Sequence, residues 1–286
     1  GLGVGSSLQL LALAAEETPD DAQRMIRSYL EDARLLGQRT GEMHLALASL
    51  PGKDFEPEPW VPMTQRSTFQ SMRNLTVRAL EKLKSSLPNV QDEQLGEAAT
   101  LISRQAELLD RFSRISGARL GAARTRIHGD YRLGQVLLTG RDFVTIDFEG
   151  DPARTLSDRR GKRSPFRDVA DMLFSFAQAG RTALHEQRAS GINFPDDQMA
   201  EGWLRGWYAW VGAAYLRGWL AVVDGAPFTP EDPAMRALLL DVMFLSEALS
   251  HVQESAGIDE ERAQDAVRIV LDALGPEPPP MKNTTD

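Results

Sequence analysis

The chain has 286 residues and a mass of 31.6 kDa, long enough to bury roughly 75% of the surface an unfolded chain exposes, in one large domain or two modest ones. With 42% hydrophobic and 26% charged residues it lies outside collagenous, low-complexity and disordered compositions. Thirty-two Lys and Arg against 41 Asp and Glu give a net charge of -9 that disfavours nucleic acid and anionic membranes as partners. The absence of Cys excludes disulfides, zinc-thiolate sites and thiol nucleophiles and fits a reducing cytoplasm.

Leu8 to Ala15 is an apolar run interrupted by Gln9, far short of the roughly 20 residues a membrane span takes. No Lys or Arg precedes it, the first basic residue being Arg24, which argues against a secretory leader. The run reads as a helix with a buried face, and residues 1–17 as a linker at the edge of the fold. Thr18-Pro19-Asp20-Asp21 predicts a helix start, and the spacing of Met25, Ile26, Tyr29, Leu30 and Ala33 predicts one long helix up to Pro51-Gly52. Pro57, Pro59, Trp60 and Pro62 predict a linker or lid. Helical patterns follow over 67–87 and 92–115. After Gly121 two short apolar runs, Val136 to Leu138 and Phe143 to Ile146, flank Thr139-Gly140-Arg141-Asp142 and predict a β-hairpin. Beyond a loop from Gly150 to Pro165 the pattern is helical again, most clearly over 203–219 and 234–249, and residues 275–286 read as a disordered proline-rich tail. The sum is a mainly α-helical lobe over 18–274 with one small hairpin and no internal repeat.

Chemistry concentrates in Ile127-His128-Gly129-Asp130-Tyr131-Arg132-Leu133-Gly134-Gln135-Val136 and, seventeen residues after Asp130, in Ile146-Asp147-Phe148-Glu149-Gly150. Each polar residue ends or interrupts an apolar run, so Asp130, Gln135 and Asp147 are expected at the edges of one hairpin. Phosphoryl transfer uses such a set: a carboxylate to orient the attacking hydroxyl, and oxygen ligands that hold Mg2+ on nucleotide phosphates. Turn capping by the two acids is the alternative.

The order resembles the catalytic and metal loops of protein kinases, and the His-Gly-Asp form is similar to the aminoglycoside-phosphotransferase-like branch, with Gln135 where Asn is usual. His-Gly-Asp-Tyr-Arg-Leu-Gly-Gln-Val-Leu, Ile-Asp-Phe-Glu-Gly-Asp-Pro and Lys-Arg-Ser-Pro-Phe-Arg-Asp-Val-Ala further resemble the maltokinases, found alone or fused to trehalose synthase. That resemblance implies the carboxyl-terminal lobe of a protein-kinase-like fold that uses ATP and Mg2+ to convert maltose to maltose 1-phosphate. It implies Asp130 as catalytic base and Gln135 and Asp147 as metal and nucleotide ligands. Arg132 and Glu149 are candidates for substrate contact. Another sugar or an aminoglycoside as acceptor, or an inert binding lobe, are the alternatives.

His128 is expected to tie the two loops together by hydrogen bonds, and Asp168 either to brace the catalytic loop or to cap the helix after Ser164-Pro165. Trp207, Trp210 and Tyr215 are candidates to border a sugar pocket, against the alternative of core packing. Arg159, Arg160, Lys162, Arg163 and Arg167 form the one basic cluster, which either faces anionic phosphates or pairs with the acidic surface, the second reading being preferred. His44, His185 and His251 have no partner at ligand spacing, which disfavours a metal-dependent phosphoesterase. None of the five lysines, Lys53, Lys82, Lys84, Lys162 and Lys282, lies in a strand pattern. A nucleotide-gripping lobe is therefore expected elsewhere in a larger parent protein, alone or with a trehalose synthase domain.

Overall fold

A computed structural model describes residues 6–87, 92–152, 155–191 and 197–276. Eleven helices are present among them: α1 (Ser7–Ala15), α2 (Asp20–Ile26), α3 (Tyr29–Ser49), α4 (Pro62–Ser86), α5 (Asp92–Ser103), α6 (Gln105–Ser113), α7 (Leu156–Arg160), α8 (Phe166–Ala189), α9 (Asp197–Val223), α10 (Pro233–Ser255) and α11 (Glu260–Leu274). Strands β1 (Glu58–Pro59) and β2 (Ala123–Arg124) form one antiparallel pair, and β3 (Val136–Thr139) and β4 (Asp142–Thr145) the other. None of these helices is long and apolar enough to cross a membrane.

Helices α8, α9 and α10 contribute Phe166, Phe174, Phe176, Tyr215, Trp219 and Leu245, all buried, and form the centre of the molecule. α3 lies against α9 so closely that glycine is required at the crossing. A Cβ on Gly37 would stand 2.0 Å from the Tyr215 carbonyl oxygen, and one on Gly218 would stand 1.9 Å from that of Arg34. α11 covers α10 with a strongly one-sided apolar face that includes Val267, Val270 and Leu274. Leu10 of α1 is fully packed, in a segment the sequence reading had placed partly in a linker.

The hairpin has the register Val136↔Thr145, Leu137↔Val144, Leu138↔Phe143 and Thr139↔Asp142. Its turn holds Gly140 at φ +67, a conformation that side chains resist. Arg39 of α3 pins the hairpin by hydrogen bonds to Asp142 at 2.7 and 3.1 Å.

Three expectations are corrected. The single long helix is two, because Arg27 adopts φ +59 and the chain restarts at Tyr29, whose ring packs 5.7 Å from that of Trp207. The 92–115 helix breaks at Arg104, where φ is -87 and ψ is 12. The Arg104 guanidinium there binds Glu107 and the Gly275 carbonyl, tying the bend to the end of α11. The proline-rich segment is neither free linker nor lid: Glu58 and Pro59 pair with Arg124 and Ala123, and a proline is tolerated because β1 is an edge strand. The tail beyond Pro276 lies outside the described residues.

Candidate active site

The catalytic-type loop leaves the core at Ile127 and turns at Gly129, whose φ of +87 is open to glycine at little cost. A 3-10 turn, Leu133–Gln135, then delivers the chain into β3. The second loop leaves β4 and reaches Asp147 at φ +64, a left-handed conformation that costs a non-glycine residue on the order of 1–3 kcal/mol and occurs most often where function demands it. Gln135 O accepts from Ile146 N–H at 3.0 Å, joining the loops.

Asp130, Gln135 and Asp147 meet. Gln135 Nε2 donates to Asp130 Oδ2 at 3.2 Å and to Asp147 Oδ2 at 3.3 Å, so one buried amide stands between two carboxylates. Rotating that amide by half a turn presents its oxygen in place of its nitrogen. The three groups then form a hard oxygen donor set of the kind that suits Mg2+, and the residues present fit such an ion. Arg132 lies beside Asp130 at 3.4 Å. Glu149 is exposed, and its carbonyl accepts from Arg159 at 3.2 Å.

The loop is held from beneath. Asp168 accepts from the backbone N–H of His128 at 2.8 Å and of Gly129 at 2.9 Å, and its Oδ2 lies 3.0 Å from His44 Nε2. Trp219 Nε1–H donates to His44 Nδ1 at 3.0 Å. Because Trp can only donate, His44 Nδ1 is the acceptor and Nε2 carries the proton given to Asp168. Burial pushes the Asp168 pKa up, but the hydrogen bonds from His44 and the Gly129 N–H outweigh it and hold the group below the usual carboxylate range. His128 Nε2 lies 2.8 Å from the Ile146 carbonyl, so that it donates there, and Nδ1 is left to face Asp130 N–H at 3.4 Å.

Beside Asp130 opens a cavity of about 220 Å³, bordered by Arg132, Asp151, Arg167, Asp171, Phe174 and Glu247 among others. Trp207, Trp210 and Tyr215 are not among its lining residues. Tyr215 is buried in the core, donating to Thr40 Oγ1 at 3.3 Å. Trp210 packs against the same core. Trp207 borders a separate apolar groove with Met25, Tyr29 and Trp203. Aromatic spacing along a helix cannot tell a pocket from a core, and here α9 is enclosed by α1, α3 and α8.

The basic cluster is likewise split. Lys162 binds Glu58 at 2.8 Å and also the Lys53 carbonyl, while Arg163 pairs its backbone with Thr125 and Arg167 turns to the cavity.

Sequence reasoning missed His44, Asp171, Glu247 and His251 as parts of this region. A signal existed for the two acids, each set within an apolar helical run, Val169-Ala170-Asp171-Met172-Leu173 and Phe244-Leu245-Ser246-Glu247-Ala248-Leu249. For His44 none existed, since its partner is 124 positions away.

This arrangement of helices around a loop-bearing hairpin matches the protein-kinase-like, aminoglycoside-phosphotransferase-like fold. Solved structures of a glucosamine kinase match it. One, in complex with glucosamine, ADP and inorganic phosphate, superposes with a TM-score of 0.68 over 95% of this chain and 60% of that one, at 19% identity. A second crystal form gives 0.67 over 95% and 58%. In sequence, the glucosamine kinase of Streptacidiphilus jiangxiensis is 26% identical over 175 residues, 58% of this chain. The chain spans 35% of that relative's length. No family model matches the sequence.

Proposed function

We propose that residues 18–274 form the catalytic lobe of a small-molecule kinase that transfers the γ-phosphoryl group of ATP to a hydroxyl of a small sugar. The observation that carries this reading is the Gln135 amide bridging Asp130 and Asp147 at the mouth of a cavity of about 220 Å³. Asp130 lines that cavity, and its hydrogen bond to Gln135, which also reaches Asp147, supports a carboxylate and a set of oxygen ligands beside a sugar-sized space. The glucosamine kinase structures, with sugar and ADP bound in one of them, support the same donor and acceptor classes.

In this reading Asp130 accepts and orients the proton of the attacking hydroxyl, which lies in the cavity. Gln135 and Asp147 hold Mg2+, which when bound draws charge from the nucleotide phosphates. Arg132, exposed beside Asp130, reaches the transferring phosphoryl group, and Glu149 lies at the outer edge of the metal loop. His128 and Asp168 are positioning residues: one links the two loops, and the other fixes the backbone on either side of Gly129. Since such catalysis is mostly positioning and charge stabilisation, the rigidity of this backing is what the chain supplies. Maltose is the acceptor that the loop resemblance implies, and a hexosamine the one that the relatives' names imply.

The test is ATP-dependent phosphorylation of sugars by the protein that carries this chain. Asp130→Asn is expected to lower kcat by about 10²- to 10⁴-fold while leaving the melting transition within a few degrees of wild type, because the side chain is 23% exposed and asparagine fills the same space. Full activity in that variant overturns the reading.

A further inference from the structure

We infer that the Tyr131 hydroxyl is a positioning group for phosphoryl transfer: through Thr40 of α3 and Thr145 of β4 it fixes the loop that carries Asp130 against the strand that leads to Asp147. The inference rests on the proposed kinase reading for what the two acids do, and on the following geometry for how they are held at one separation.

Tyr131 follows Asp130 in the chain. Asp130 lines the cavity, whereas the Tyr131 side chain is fully buried, as are Thr40 and Tyr215. The Tyr131 hydroxyl lies 3.0 Å from Thr40 Oγ1 and hydrogen-bonds to Thr145, two residues before Asp147. The geometry assigns the donors. A threonine hydroxyl has one proton, and that of Thr40 goes to the Leu36 carbonyl at 2.8 Å. Thr40 Oγ1 therefore accepts twice, from Tyr131 at 3.0 Å and from Tyr215 at 3.3 Å. With its own proton given to Thr40, the Tyr131 oxygen accepts from Thr145. Burial raises the phenol above its ordinary pKa, against the two hydrogen bonds that lower it, so the proton this order needs stays in place through the neutral range.

A phenylalanine in place of Tyr131 would fill the same space, so what the hydroxyl adds is direction. Buried hydroxyls are costly unless each is bonded. A set in which every member is satisfied adds little net stability but holds one arrangement in preference to its neighbours. Here that arrangement spans the two loops. His128 bonds to the Ile146 carbonyl and Tyr131 to Thr145, so residues on both sides of Gly129-Asp130 are tied to consecutive residues just before Asp147. α3 supplies the fixed reference. Its Arg39 grips Asp142 at the turn of the same hairpin, and His44, one turn on from Thr40, holds Asp168 under the loop. Asp168 cannot set the reach towards β4, because its partners in the loop are His128 and Gly129. Tyr131 is not among the residues that line the cavity. Its hydroxyl is therefore expected to act on kcat, where an error of about 1 Å between reacting groups costs up to about 10²-fold, and not on acceptor binding.

The test uses the protein that carries this chain, with ATP and the sugar it phosphorylates fastest. Tyr131→Phe and Thr40→Val are each expected to lower kcat by about 10- to 100-fold with the sugar KM within about twofold. The double variant should lose no more than about twofold beyond the weaker single one, because two links of one chain fail together. Thr40→Ser keeps the hydroxyl and should hold kcat within about threefold of wild type. Tyr215→Phe removes an equally buried hydroxyl from the same Thr40 oxygen but no link to the loop, and should leave kcat unchanged. Independently of turnover, amide hydrogen exchange across 129–135 and 145–149 should rise about tenfold in Tyr131→Phe and Thr40→Val and keep its wild-type rate in Tyr215→Phe. Wild-type kcat in Tyr131→Phe, equal losses in Tyr131→Phe and Tyr215→Phe, losses that multiply in the double variant, or a raised KM with kcat retained each overturns the inference. If Thr40→Val does not fold, Tyr131→Phe against Tyr215→Phe decides alone. A wild-type protein that phosphorylates no sugar defeats the kinase reading, and the exchange comparison then still decides whether Tyr131 ties the two loops.

Discussion

At the scale of single residues the site depends on groups that never touch a substrate. Asp168 takes three donors, from two backbone N–H groups and His44, and an amide in its place would turn an NH2 group against one of them. Asp168→Asn is therefore expected to lower unfolding free energy by on the order of 3 kcal/mol, read as a lower urea midpoint at unchanged m-value. The same substitution frees the backbone at Gly129, so the loop should gain amide hydrogen exchange at His128 and Gly129. The sequence made the polar residues of the two loops legible as a group because each interrupts an apolar run, and the structure brings Asp130, Gln135 and Asp147 together. Asp168 was legible as a brace for the loop or a cap for its helix, and it accepts from the loop's backbone at His128 and Gly129; what stands behind it was not, because His44 and Trp219 come from two other helices and nothing local in either announces the other.

At the scale of elements, existence was easier to read than boundaries. The hairpin was legible because β-type apolar runs flank a turn containing Gly140, and α10 because its leucines recur at helical spacing. The breaks at Arg27 and Arg104 were not, since neither is Gly or Pro and the long-range contacts beside them lie far off in the chain, Trp207 against Tyr29 in the one case and the end of α11 against Arg104 in the other. The α3–α9 crossing was also hidden, although Gly37, Gly41 and Gly218 mark it in retrospect. A methyl group at residue 218 meets the Arg34 carbonyl at 1.9 Å, backbone that cannot rotate away, so Gly218→Ala must part the two helices. Overpacking of this kind costs about 1–3 kcal/mol or more. The expected readout is a lower thermal midpoint with weaker Trp219–His44 contact, seen as a change in near-ultraviolet circular dichroism, while Gly206→Ala on the same helix, with open space at its Cβ, leaves both unchanged.

At the scale of the whole molecule, buried carboxyls set how stability follows pH. Asp168 lies below its ordinary value. Its contribution is complete above the unfolded value of about 3.9 and is lost as pH falls through its lower folded value. Asp171, Asp241, Asp265 and Asp272 lie above theirs, mainly through burial. Their contribution is complete below about 3.9 and is lost as pH rises through their folded values. The two sets bracket a maximum of stability well on the acidic side of neutrality, around the unfolded carboxyl value of about 3.9, to be read from urea midpoints across the acid and neutral range. Asp171→Asn should raise the neutral end of that profile and leave the acid end in place. The relay from Trp219 through His44 to Asp168 has a consequence for biosynthesis as well. Two of its members, His44 and Trp219, stand 175 positions apart in the chain, so a ribosome must have released α9 before the turn at Gly129 acquires its full backing. A half-made chain carries every residue of the 127–136 loop but not Trp219, so the proposed chemistry waits on the second half of the core.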